Sequence, residues 1–147
     1  VERFQEVLLR AQYDLNPKVS LNAECRNESF GGGDAANVGE LGARYRPVDG
    51  MSLYGAGIWR VGTGGNLVGF ELSGDKVVMQ KYILAAGIQH DSFRRELTTN
   101  YDSATRFWVG AETKLRKNLS AQGRVEDTVS DQYNKDIRAR LALNYDF

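Results

Sequence analysis

Apolar and polar positions alternate along this chain with a period of two. In Ile137-Arg138-Ala139-Arg140-Leu141-Ala142-Leu143-Asn144-Tyr145-Asp146-Phe147 every odd position is apolar and nearly every even one is charged or polar. That period is a β-strand with one apolar and one polar face. The same pattern runs through Val7 to Leu15, Val19 to Cys25, Leu41 to Tyr45, Phe107 to Leu115 (with Trp108 as an exception) and Leu119 to Val125. The middle is less regular. Met51 to Val61 is Gly-rich and ambiguous in parity, since either Tyr54/Ile58 or Leu53/Trp59 can face the apolar side. Val77 to His90 is apolar on both faces, and Phe93 to Tyr101 is a weak strand. No window shows a competing 3.6-residue period, so the chain is all-β.

Tight turns at Asn16-Pro17-Lys18, Pro47-Val48-Asp49-Gly50 and Arg116-Lys117-Asn118 sit in similar nine-residue frames, and a fourth is expected near Gln89 to Ser92. The alternate connections look longer: Gly31 to Asn37, Gly62 to Asp75, Thr99 to Thr105 and Val129 to Asp136. Repeated hairpins with short turns at one end and long loops at the other make one domain, residues 1–147. Traced back from Phe147, the strands are 135–147, 119–129, 105–116, 92–101, 76–90, 51–62, 38–47 and 19–30, and residues 3–15 make a ninth.

A soluble sandwich or lipocalin-like barrel also alternates, with its apolar face inward around an apolar ligand. Three features favour the opposite sidedness. The strands span about 10–12 residues, the length of a tilted transmembrane strand. The apolar face is rich in Ala, Gly and Leu rather than the bulky branched side chains that fill a soluble core. Finally, Tyr13, Tyr45, Tyr145 and Phe147 stand at strand ends beside short turns, as in an interfacial aromatic girdle.

The ending Leu141-x-Leu143-x-Tyr145-x-Phe147 resembles the C-terminal signature of Gram-negative outer-membrane β-barrel proteins, and Gly42 to Ala56 looks like their strand–turn–strand unit. The resemblance implies an antiparallel up-and-down transmembrane barrel of about 8–10 strands in the outer membrane of a Gram-negative bacterium. It implies that Leu141, Leu143, Tyr145 and Phe147 are the assembly signal read by the outer-membrane assembly machinery, and that lipid and lipopolysaccharide surround the barrel. Nine strands conflict with the even counts of such barrels. Either the stretch 62–101 holds a miscount, or the chain is the C-terminal part of a larger barrel. Other chains or N-terminal sequence outside this one then become partners. The start at Val1, without Met and already in strand pattern, fits the second option; removal of a signal peptide accounts for the Met but not for the odd count.

Composition narrows the chemistry. Nineteen basic and nineteen acidic side chains give zero net charge without a basic block, so there is no nucleic-acid footprint. One Cys and one His leave no metal site to expect, and no cofactor motif occurs. Gly64-Gly65-Asn66 is no phosphate loop, since no Gly-Lys-Ser/Thr follows. His90-Asp91-Ser92 holds triad residue types, but neighbours on a strand point to opposite faces, so no catalytic residue is assigned. The interior charges by parity include Arg10, Glu24, Arg26, Glu40, Arg44, Glu112, Lys114, Arg124, Glu126, Arg138 and Arg140. Arg138 and Arg140 approach Arg10 if the first and last strands close. Both signs are interleaved, as in a charge-paired plug or a pore for small hydrophilic or zwitterionic solutes.

The expected function is therefore a passive polar conduit or a membrane anchor, not an enzyme. The alternatives are a translocator or exporter for a passenger or polysaccharide, and the soluble ligand-binding barrel. Sidedness gives the first prediction. Leu141→Arg places a charge against lipid and is expected to cost about 2–4 kcal/mol in bilayer unfolding measurements, while Arg138→Leu perturbs only interior charges. Unchanged stability of Leu141→Arg in a bilayer would sink the membrane reading.

Overall fold

A computed structural model describes residues 4–94, 102–131 and 135–145. Its strands are β1 (Gln5–Asn16), β2 (Val19–Ser29), β3 (Ala35–Tyr45), β4 (Met51–Gly62), β5 (Asn66–Val78), β6 (Tyr82–Arg94), β7 (Asp102–Arg116), β8 (Leu119–Ser130) and β9 (Asp136–Tyr145). They form one antiparallel up-and-down sheet in strict chain order. The fold is thus an all-β, up-and-down antiparallel wall of the kind from which β-barrels are built. Strands of 10 to 15 residues are long enough to cross a bilayer at a tilt.

The register carries one face intact across the whole sheet. A single row runs Tyr13, Leu21, Ala43, Gly55, Leu72, Ile88, Phe107, Asp127, Ile137. It starts beside the turn at 17–18 on β1 and ends beside the loop that precedes β9. This stagger is what tilted strands in a barrel wall require. It also settles β4: Leu53, Gly55, Gly57, Trp59 and Val61 share the apolar face, and Tyr54 and Ile58 the polar one.

Exposure shows which face is outside. Leu9 is 69% exposed and Leu141 81%, while Glu28 and Glu126 on the opposite face are only 8% exposed. Nearly all the exposed large apolar side chains belong to the Leu9 face. Polar side chains crowd together on the inner face, and apolar ones splay outward. The sequence alternative of a soluble barrel needs the reverse. No helix among the described residues is long and apolar enough to cross a membrane, which says nothing against crossing by strands.

The irregular middle is where sequence and structure part. The expected connection Gly62 to Asp75 is mostly strand β5, and the link before it is only residues 63–65. The expected turn at Gln89 to Ser92 is interior to β6, and the real turn lies at 79–81, splitting the expected strand 76–90. Residues 95–101 of the expected strand 92–101 lie outside the described residues. The two displacements cancel in the count, which stays at nine. The turn was invisible because Met79 and Gln80 are not turn formers. Both nevertheless adopt positive φ (52° and 55°), the backbone region that favours Asn and Gly, and the Lys81 amide donates to the Val78 carbonyl at 3.2 Å within the three-residue loop.

The sheet is open among the described residues, with no contact between β1 and β9. Both strands end at the short-turn side, so they run in the same direction. The expected approach of Arg10 to Arg138 and Arg140 therefore does not occur.

The turn at 79–80 yields a prediction. A left-handed non-Gly residue costs roughly 1–2 kcal/mol. The double substitution Met79→Asn, Gln80→Gly should therefore raise stability by about 1–2 kcal/mol. Urea unfolding in micelles measures the shift, and no gain would show that the turn carries no strain.

Candidate functional site: the polar inner face

The inner face is a chain of small networks built by cross-strand register. Arg10 Nε donates to Glu24 Oε2 at 2.7 Å across the β1–β2 pair. Glu28 faces two guanidiniums, Arg26 at 3.6 Å on its own strand and Arg60 on β4 at 3.3 Å. Glu126 mirrors it, with Arg124 at 3.4 Å and Arg140 on β9 at 3.9 Å. Arg138 pairs with Asp136 at 2.7 Å. A carboxylate this buried without its cations would bear an uncompensated charge, so each of these glutamates is tied to the arginines around it.

Glu40 and Arg44 of the expected set meet through a residue the sequence left ambiguous. The Tyr54 hydroxyl donates to Glu40 Oε1 at 2.8 Å, and the Arg44 guanidinium lies 5.5 Å from the Tyr54 ring centroid. Glu112 and Lys114 also lie on the inner face, on β7, and neither has an ion pair among the described residues. The sequence reading missed Arg60, Glu71, Asp91, Arg106 and Trp108, which the register puts on this face. For Trp108 the signal was present, since it occupies the polar parity of its strand. Its indole lies over Gly87, where a Cβ would stand 2.6 Å from the ring, and Arg124 covers it at 4.3 Å.

The outer face is banded. Tyr13, Tyr45 and Tyr145 are exposed on it beside the short turns, joined by Tyr82. Leu141 and Leu143 also face outward, and Phe147 lies outside the described residues. A second aromatic row, Trp59, Phe70 and Phe107, stands nearer the other end. Above it comes a polar belt of Asn27, Asn37, His90, Ser92, Thr105 and Asp127, where Asn27 Nδ2 donates to Asn37 Oδ1 at 2.8 Å. An apolar band between two aromatic rows is how a lipid-facing wall meets its two interfaces.

His90, Asp91 and Ser92 form no triad. His90 Nδ1 is 2.8 Å from Thr105 Oγ1 on the outer face, and Asp91 accepts from Gln89 Nε2 at 2.8 Å on the inner one. No group of three His, Cys, Asp or Glu side chains suited to a metal occurs among the described residues.

No protein-family model matches the chain, and no curated protein does. Solved structures do. The KdgM porin is 18% identical with a TM-score of 0.57, over all of this chain and 78% of that one. The KdgM porin in complex with disordered oligogalacturonate aligns with the same identity and TM-score over 77% of its length. A loop L8 deletion mutant of OmpT, an outer membrane protein of Vibrio cholerae, is 11% identical with a TM-score of 0.75, over 98% of this chain and 53% of that one. At such identities the likeness is one of fold, and it is to outer-membrane β-barrels.

The two tryptophans test the two faces. In single-tryptophan variants (Trp108→Phe or Trp59→Phe) in vesicles, brominated lipid should quench Trp59 and aqueous acrylamide should quench Trp108. The reverse pattern would invert the sidedness.

Proposed function

We propose that this chain builds a passive polar conduit through the outer membrane of a Gram-negative bacterium and does no chemistry of its own. One observation carries the reading: the exposed face is apolar, while the crowded face holds carboxylates and guanidiniums in mutual contact. A wall of that kind is stable against lipid outside and water inside. The mixed field favours small hydrophilic or zwitterionic solutes over apolar ones. The porin likeness supports the same reading.

Lipid and lipopolysaccharide would surround the outer band, and the assembly machinery would engage the Leu141-to-Phe147 end. In a membrane the open edges of β1 and β9 need partners for their backbone groups. Two strands running in the same direction are joined into an all-antiparallel barrel only by an odd number of further strands. In this reading those strands come from polypeptide outside residues 1–147.

Liposome swelling tests the conduit. Proteoliposomes in a solution of a neutral sugar such as arabinose should swell faster than empty liposomes and retain a trapped fluorescent dextran. Protein that is protease-protected in the bilayer yet gives no faster swelling would leave only a membrane anchor.

A further inference from the structure

Six inner-face arginines (Arg10, Arg26, Arg60, Arg124, Arg138 and Arg140) each have a carboxylate within 4.0 Å. Arg44 and Arg46 have none among the described residues, although they share one cavity. It is about 360 Å³ in volume and is lined by Gln12, Ser20, Leu21, Asn22, Arg44, Arg46 and Tyr54. No carboxylate lines it. Of the nearby acids, Asp14 stands across from Ser20 on β1, and Glu40 is engaged by the Tyr54 hydroxyl.

The cavity is constructed rather than left over. Gly42 has no side chain, so Asn22 from β2 and Tyr54 from β4 reach each other over β3. Asn22 Nδ2 lies 3.4 Å from the Tyr54 hydroxyl as donor, and a Cβ on Gly42 would stand 2.5 Å from Asn22 Oδ1 and 2.7 Å from that hydroxyl. The Tyr54 ring then carries the Arg44 guanidinium. The Arg46 backbone is held where the chain leaves β3, its amide donating to the Lys18 carbonyl at 2.7 Å. Arg44 and Arg46 line a space that also offers amide and hydroxyl donors from Gln12, Asn22 and Ser20. Guanidinium forks match the geometry of a carboxylate or phosphate.

We infer that this cavity, at the short-turn mouth of the inner face, binds the carboxylate or phosphate group of a small free anionic solute. The inference deepens the conduit reading by naming a solute class, but binding itself needs no conduction. The protein is refolded into phospholipid-free, non-ionic detergent micelles at low salt and titrated calorimetrically with inorganic phosphate, then with succinate. Saturable, weak binding is expected for the native chain. Arg44→Gln, Arg46→Gln together should weaken it by about tenfold. Arg106→Gln removes one positive charge from an inner-face arginine that also has no ion pair among the described residues and lies outside the cavity, and each single variant, Arg44→Gln or Arg46→Gln, is its charge-matched counterpart. Arg106→Gln should change binding by less than about twofold.

The charge-retaining pair Arg44→Lys, Arg46→Lys keeps the test alive if the Gln variant misfolds: it should fold and bind within a few-fold of the native chain. Absence of saturable binding, or equal weakening by Arg106→Gln, overturns the site. Failure of the conduit appears separately, as proteoliposomes that do not swell around a protein that still binds phosphate.

Discussion

A bilayer interior has no water to satisfy a peptide group, so every backbone N–H and C=O that crosses it needs a partner in the protein. Among the described residues that partner is the neighbouring strand, on both sides of β2 to β8 and on one side of β1 and β9. The ladders run without slippage through most of their length, with irregularities only at Asp14/Asn16 and Lys114/Arg116, both beside short turns. Because each pairing holds register, each side chain keeps its face. A shift of one residue anywhere would turn the exposed apolar row of one strand into a charged one. The banded outer surface and the ion-paired inner surface both depend on that constraint.

The inner face shows how charges are paired where they crowd together on one side of a sheet. Glu28 and Glu126 are each held by two arginines, one on their own strand and one from another. Around Tyr54 the arrangement differs. The phenol engages Glu40, Gly42 leaves room for Asn22, and Arg44 rests on the ring without a carboxylate. Glycine serves the same spatial purpose under Trp108, at Gly87. Large rings therefore lie flat along the wall and do not project into the interior.

How much was legible depended on how regular the local pattern was. Where alternation was clean, as in β1, β2, β3, β7, β8 and β9, the face of Arg10, Glu24, Arg124 or Leu141 followed from its position alone. In β4 to β6 the inner face carries Ala56, Ile58, Ala85 and Gly87, so apolar residues on both sides blurred the parity. The turn at Met79-Gln80 had no Gly, Asn, Asp or Pro to announce it. Arg60, Glu71 and Tyr54 were lost with that stretch.

The sequence by itself determined the period of two and which side of each regular strand is apolar, because these follow from local stereochemistry; it left the strand number at about eight to ten. Tertiary structure decided the register through the irregular middle, since a strand with two apolar faces takes its orientation from its neighbours. It also decided which charges meet. Glu28 reaches Arg60 and Glu126 reaches Arg140 across strand pairings that no local spacing encodes, and the same pairings leave Arg44 and Arg46 without a carboxylate. The open edges of β1 and β9 are likewise a property of the whole sheet, because pairing between strands so distant in sequence is a question of curvature and count.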